Sequence, residues 1–490
     1  MTAPENIDRL YFLGIGGIGM SALARYFHQR GYIVEGYDRT PSPLTAELEH
    51  EGIRIVYDGD NPQDKQTETE RLKNAMPIPC TLVVRTPAVP DDEPIHTWMR
   101  ETGYHIVKRA ELLGRISRMP HIQEDGSQVQ MKALCVAGTH GKTTTSTLLA
   151  HILHESHLGA NAFLGGISNN SHSNLLIDNK SEYVVVEADE FDRSFHYLTP
   201  YMSVITSIDP DHLDIYGSAE AYQEGFDTYA GLVENTIILH KNYTLHGTRC
   251  RVITYSADDE ADFYAADIRI QDGTIVFDFI TPACQTPRQE RPATRIRDIR
   301  LGVPAWINIE NAVAAMAIAW LNDVTEAELR HGVETFAGVH RRFDVHVRTS
   351  KVVYIDDYAH HPTELEASIR SVRRVYPDRR LTAVFQPHLY SRTRDFMEGF
   401  ARILSQADEL LLLPIYPARE TPIAGITSET LAEQCRKTGH TGSVEVTDKK
   451  DLTGRLLQLL QDQRPRVIMT LGAGDIDRLV PELTRQLSNL

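Results

Sequence analysis

Paired cysteines are missing from this chain. Its 490 residues include five, Cys80, Cys135, Cys250, Cys284 and Cys435, an odd and scattered set without a Cys-x-x-Cys. That argues against a disulfide framework or a cysteine zinc site and fits a reducing compartment. Long apolar runs are missing too. None approaches the ~18 residues of a membrane span, and the N-terminal stretch is too polar for a signal peptide. The cytoplasm is therefore the expected location. Positive charge is scarce: 50 Lys and Arg stand against 67 Asp and Glu, a net charge of −17. Nucleic acid is not expected as a main partner, because phosphate-backbone binding needs the opposite balance. What remains is an ordinary globular composition, 24% charged and 41% hydrophobic, long enough for about three domains of ~150 residues.

The chain is organised around the stretch from Ala133 to Ser146. A short apolar run, expected as a buried strand, breaks into Gly138-Thr139-His140-Gly141-Lys142-Thr143-Thr144, and helix-forming residues follow. Strand, glycine loop and helix in that order aim backbone N–H groups and a helix N-terminus at a phosphate. Gly138 and Gly141 allow close approach, Lys142 supplies a cation for the β- and γ-phosphates, and the Thr143 hydroxyl can reach Mg2+. The loop is a shortened variant, with Val136 where the longer pattern has glycine.

An earlier glycine loop, Gly14-Ile-Gly16-Gly17-Ile18-Gly19, follows the expected strand Leu10–Leu13 and opens a helix from Met20 to about Gln29. A second strand from Ile33 ends at Asp38. This is a Rossmann fingerprint with its acidic residue, and by itself it favours NAD(P) and a dehydrogenase. A UDP-sugar offers the same diphosphate and a ribose for Asp38. The strand Thr81–Val84 runs into Arg85 and Thr86, at a sheet edge where ligands gather. A helix begins near Lys108, residues 121–130 look like a loose connection, and the first domain boundary is placed near residue 110.

Two further strands end in acids. Tyr183–Val186 leads to Glu187-Ala-Asp189-Glu190, and Met202–Ile208 leads to Asp209-Pro-Asp211-His212. Glu187 and His212 are the metal candidates, His212 the weaker because magnesium prefers oxygen. Asp189, Glu190 and Asp211 read mostly as caps or loop charges. Residues 265–300 suggest a small antiparallel patch. Asn308 and Asn311 lie one turn apart on a helix, and Arg341-Arg342 mark a second boundary near residue 337. Beyond it, strands run into Asp357-Tyr358-Ala-His360-His361, into Gln386-Pro-His388-Leu389-Tyr-Ser-Arg392, into Pro414–Glu420 and into Gly472-Ala-Gly-Asp475. Polar loops on one edge of one sheet make a site.

Taken together these residues resemble the Mur ligases, ATP-dependent amide-forming enzymes of peptidoglycan assembly. The resemblance runs through both glycine loops, Glu187–Glu190, Asp211-His212, Asn308 with Asn311, Arg341-Arg342-Phe343, Asp357–Thr363, Phe385–His388 and Gly472–Asp475. It covers essentially the whole chain, and the Asp357 and Phe385 loops resemble the alanine-adding branch. A murein-tripeptide recycling ligase is the runner-up. The dehydrogenase reading falls away, since the family uses the first loop for a UDP-sugar.

The resemblance implies an α/β architecture: a Rossmann-like UDP-sugar domain over 1–110, a P-loop ATP-binding domain with a parallel sheet over 111–336, and a Rossmann-like domain over 337–490. It implies UDP-N-acetylmuramate and L-alanine as substrates, joined through an acyl phosphate, with ATP and Mg2+. Gly16, Gly17, Ile18, Gly19, Asp38 and Thr86 are expected on the UDP-sugar. Gly138 to Thr144, Asn311, Arg342 and Asp357 are expected on ATP. Thr143, Glu187 and His212 hold metal, Tyr358, His360 and Arg392 face the amino acid, and Lys142, Glu187, His212, His360 and Arg392 carry the chemistry. Two departures stand out: Leu389 where some members have Arg, which leaves the carboxylate to Arg392 or Arg394, and Ile307 where many have His. A monomer or weak homodimer that closes on its ligands is expected.

Overall fold

Leu10, Phe12 and Leu13 are fully buried, as both faces of a strand must be when helices cover a parallel sheet. The computed structural model describes residues 7–58, 63–122, 128–258, 260–418, 420–439 and 442–489. In it Arg9–Leu13 is the central strand of five, in the order Arg54–Tyr57, Ile33–Asp38, Arg9–Leu13, Thr81–Arg85, His105–Lys108, all parallel. The strand order reverses at Arg9–Leu13, so the crevice beyond its carboxyl end receives the first glycine loop and Thr86. The helix after the loop spans Ile18–Gln29, two residues earlier than expected, because Gly17 is its N-cap.

The chain forms two compact units. One comprises the residues up to Tyr264 with Ile280–Thr294 and Val313–Gly332; the other comprises Ala265–Phe279, Arg295–Ala312 and the residues from Val333 on. The first unit contains both glycine loops. Its second sheet runs Ser173–Leu176, Asn161–Ser168, Tyr183–Glu187, Lys132–Ala137, Met202–Ile205, Thr236–His240, Arg251–Ser256. All these pairs are parallel except the first, at the edge. Lys132–Ala137 is central, and the phosphate loop leaves its carboxyl end between the ends of Tyr183–Glu187 and Met202–Ile205. The connection expected to be loose is partly ordered: Pro120–Ile122 pairs antiparallel with Gln128–Gln130, while residues 123–127 lie outside those described. Residue 419 of the segment Pro414–Glu420 also lies outside them.

A buried polar knot ties the edge strand to the first helix. The Asn174 amide is fully buried; it donates to the Ile18 carbonyl and to Ser21 Oγ at 3.0 Å, and accepts from Arg25 at 3.0 Å. Arg25 also pairs with Glu47 at 2.8 Å and Glu51 at 2.7 Å. One side chain on the edge strand thus satisfies three groups of a single helix, which fixes the helix that follows the first glycine loop.

The second unit is built on six strands in the order Asp344–Arg348, Val352–Asp357, Arg466–Leu471, Arg380–Phe385, Glu409–Leu412, Ser443–Val446, the first antiparallel and the rest parallel. Its polar loops all leave carboxyl ends of parallel strands, on one edge, as the sequence suggests. Among residues 265–300 the pair Cys284–Gln285 and Glu290–Arg291 is antiparallel. Among the described residues no helix is long and apolar enough to cross a membrane, and all five cysteines are free.

Replacing Asn174 by Ala leaves buried donors and acceptors without partners. Urea unfolding is expected to show a loss of about 1–3 kcal/mol; no loss would remove the knot from the account of the fold.

Candidate active site

The phosphate loop is held in place by its neighbours. Gly138 has φ +129°, and a Cβ there would collide with Thr206 and the backbone of Ser207. Gly141, at φ +81°, turns the chain into the helix Lys142–His154. His140 N donates to Ser207 Oγ at 2.9 Å, Thr206 Oγ1 donates to the His140 carbonyl at 2.5 Å, and Thr139 Oγ1 donates to the Asp209 carbonyl at 2.7 Å. The loop's shape is therefore set by the strand ends beside it.

Lys142 donates to the carbonyls of Gly138 at 2.6 Å and Thr139 at 3.3 Å, and pairs with Glu190 at 2.9 Å from Oε1 and 2.7 Å from Oε2. Glu190 is only 2% exposed. Burial pushes its carboxyl up, and Lys142 opposes the shift. The expectation that Glu190 is mostly a cap or loop charge is corrected: it is the counter-ion of the loop lysine. It lies just beyond the strand Tyr183–Glu187, which is adjacent to the loop's own, so sheet order supplies the contact, and a single sequence carries no signal for the pairing.

Thr143 Oγ1 donates to Glu187 Oε1 at 3.2 Å, and Ser146 Oγ lies 3.4 Å from Glu187 Oε2. A Cβ on Gly165 would occupy the space at this carboxylate. A hydroxyl and a carboxylate side by side are hard oxygen donors, the set that magnesium takes. His212 sits at φ +52°, with its ring edge-on to Phe191 at 5.2 Å and its Nε2 3.8 Å from Asp211. Among the described residues no group of three or more His, Cys, Asp or Glu forms a metal cluster.

A cavity of about 270 Å³ joins the first glycine loop to these acids; Gly17, Ile18, Thr86, Arg109, Glu187 and Asp189 line it. Arg109 donates to Asp189 at 3.2 Å and packs on Gly19. The sequence reading passes over Arg109, whose only mark is its place at a helix start. Asp38 accepts from Gly16 N at 2.7 Å, so in this state the acidic residue props the loop.

In the second unit Asn308 and Asn311 are both buried, one turn apart as expected. Asn311 Nδ2 donates to Asn308 Oδ1 at 3.0 Å, and Asn308 Nδ2 donates to the Val303 carbonyl at 3.3 Å. The adjacent arginines divide their work. Arg341 turns inward to Asp356 at 3.3 Å and to the Gly472 carbonyl. Arg342 is half-buried, its guanidinium 5.3 Å from the Tyr358 ring. Asp357 is buried, accepts from Ser368 Oγ and from Ala359 N at 3.2 Å, and burial lifts its pKa to about 6.

Tyr358, His360, His388 and Arg392 come together. The His360 ring stands 5.2 Å from that of Tyr358 and 6.1 Å from that of His388. His360 Nδ1 lies 2.9 Å from the Tyr358 carbonyl, which can only accept, so the proton is on Nδ1 and Nε2 presents a lone pair. Burial pushes the His360 pKa down. Arg392 NH1 lies 3.2 Å from His388 Nδ1. Arginine only donates, so His388 accepts there as the neutral ring. Burial, aided by Arg392, takes its pKa to about 4. Leu389 has φ +69°, a strained value for a branched residue. Arg394 is exposed and paired with Asp395 at 2.7 Å.

Family models match most of the chain: the Mur ligase family catalytic domain over residues 9–120, the Mur ligase middle domain over 136–319 and the Mur ligase glutamate ligase domain over 341–474. The chain belongs to the Mur ligase family. It is 50% identical to the UDP-N-acetylmuramate–L-alanine ligase of Porphyromonas gingivalis, over 99% of this chain and 100% of that protein. With the enzyme of the same name from Phocaeicola vulgatus it is 49% identical over 98% of both. The solved UDP-N-acetylmuramate–alanine ligase of Thermotoga maritima has the same fold, with TM-score 0.76 at 24% identity over 98% of this chain and 99% of that one. A murein peptide ligase of Psychrobacter arcticus follows at TM-score 0.61 and 22% identity, over 98% of this chain and 99% of that one.

Because the folded chain holds the Asp357 proton more tightly than the unfolded one, stability falls as pH rises from about 4 to about 6 and is level beyond. Asp357→Asn should remove that slope. Carboxyl NMR should place the midpoint near 6, and Ser368→Ala, which deletes a donor to the ionised form, should move it higher.

Proposed function

We propose that the chain joins L-alanine to the lactyl carboxylate of UDP-N-acetylmuramate at the expense of ATP, in cytoplasmic peptidoglycan precursor synthesis. One observation carries the reading: 50% identity along the whole length of an alanine-adding ligase. Functional domains divide near residues 110 and 337, and the chain works as a monomer or weak homodimer.

A carboxylate is a poor electrophile because oxide would have to leave. In the first step a carboxylate oxygen attacks the γ-phosphorus of ATP, ADP departs, and an acyl phosphate forms. In the second the alanine amine attacks the carbonyl, and the tetrahedral intermediate expels phosphate with the bridging oxygen. Neither step asks the protein for covalent chemistry; positioning and charge neutralisation suffice. The N–H groups of Gly16, Gly17, Ile18 and Gly19 take the UDP diphosphate, with Asp38 and Thr86 beside it. Gly138 to Thr144 wrap the ATP phosphates, Lys142 on the β/γ side, while Asn311, Arg342 and Asp357 bind the nucleotide. Thr143 and Glu187 would hold Mg2+, and Glu187 with His212 would hold a second ion; bound metal would offset phosphate charge. Arg392 pairs with the alanine carboxylate beside Tyr358. His360 Nε2, a lone pair on a ring kept neutral by burial, takes the proton from the alanine ammonium.

Phosphate release from Mg-ATP should need UDP-N-acetylmuramate and L-alanine together. Preference for a murein tripeptide would move the chain to the recycling ligase, and release with neither amine would overturn the reading. Lys142→Ala should abolish release while UDP-sugar binding survives. Arg392→Ala should raise the alanine KM roughly 10- to 100-fold, as the loss of a charged hydrogen-bonded pair implies, with the ATP KM little changed; equal effects on both would take Arg392 out of the amino-acid pocket.

A further inference from the structure

The ammonium of Lys142 has three N–H donors, and the structure employs all of them: on the Gly138 carbonyl, on the Thr139 carbonyl and on Glu190. To take up a phosphate oxygen it has to give up at least one. Leaving a carbonyl forfeits one hydrogen bond to a neutral acceptor. Leaving Glu190 strands a carboxylate that is 2% exposed, the far costlier loss, because a buried charge without its partner is strongly destabilising. Tyr216 OH donates to the main-chain carbonyl of Glu190 at 2.7 Å, which holds the backbone from which the carboxylate reaches Lys142.

We propose that Glu190 is a positioning residue for the reaction: it anchors Lys142 while the two loop carbonyls are exchanged for phosphate oxygens. The inference rests on Lys142 being the cation that meets the nucleotide's phosphates. The anchor has two opposite effects. Its negative charge stands close to the incoming phosphates and weakens nucleotide binding. Its grip fixes a four-carbon side chain where charge develops during phosphoryl transfer, which raises turnover without a matching gain in ground-state affinity.

The test is Glu190→Gln, nearly the same shape without the charge, studied by calorimetry with ADP and AMP in the full-length protein. ADP should bind about 3- to 10-fold more tightly, as removal of a nearby like charge predicts, and AMP, which lacks a β-phosphate, should be unchanged. Turnover should fall about tenfold or more. UDP-N-acetylmuramate binding, measured alongside, should be unchanged and reports an intact fold. In a Lys142→Ala background the substitution should still tighten ADP, because the repulsion it removes acts directly between the carboxylate and the phosphates. If Lys142→Ala by itself leaves ADP binding intact, the role of Lys142 is wrong and this inference falls with it. If Lys142→Ala weakens ADP, the inference alone is overturned by any of three results: Glu190→Gln leaves ADP affinity unchanged, it shifts ADP and AMP equally, or it leaves turnover unchanged.

Discussion

A positive charge has to be kept tolerable beyond the end of a buried strand, where Lys142 opens the helix after the second glycine loop. The solution lies in sheet order. Lys132–Ala137 sits between Tyr183–Glu187 and Met202–Ile205, so whatever follows those two strands stands beside the phosphate loop. One ends in Glu187, next to Thr143, and is followed by Glu190, which neutralises Lys142. After the other come Thr206 and Ser207, which clamp the backbone of His140. An uncompensated ammonium at this depth would be expensive; with a buried carboxylate and two carbonyls it is held in a defined place. The glycines at 138 and 141 follow from the same constraint, because the loop has to pass close to Thr206 and then turn left-handed.

In the same unit a cavity joins the first glycine loop to Glu187 and Asp189, and a polar knot ties the helix after that loop to the edge strand. The Asn174 amide and Arg25 fix the Ile18–Gln29 helix against the edge strand, so the first glycine loop is positioned by the sheet that carries Glu187. In the second unit the theme is neutrality rather than charge. His360 and His388 are kept unprotonated by burial, and each ring's hydrogen bond fixes which nitrogen carries the proton. The proposed amine nucleophile would need that environment: a cation for its carboxylate, and a base that is not already protonated.

Much of this was legible in the residues. Glycine loops between apolar runs and helices betray themselves because only a few backbone shapes bring N–H groups to a phosphate, and the polar loops of the second unit follow apolar runs that can only be buried strands. What stayed hidden was set by strand order and not by local pattern. The partnership of Glu190 with Lys142 spans 48 positions, that of Asn174 with Arg25 spans 149, and neither residue type announces its partner. Arg109 escaped for the same reason. The opposite roles of Arg341 and Arg342 depend on a backbone at φ +62° at Arg341, which identical neighbouring side chains cannot reveal. The strand pair around residues 120 and 130 was missed because its polar composition reads as a loop.

The central claim is that the sugar's carboxylate becomes an acyl phosphate before the amine attacks. It is tested most directly by the fate of the carboxylate oxygens. UDP-N-acetylmuramate carrying 18O in both lactyl carboxylate oxygens should be turned over with unlabelled ATP and L-alanine, and the released phosphate analysed by mass. The account predicts one 18O in each phosphate, carried from carboxylate to phosphorus in the first step and kept in the second. Phosphate free of label, with product formed, would contradict it.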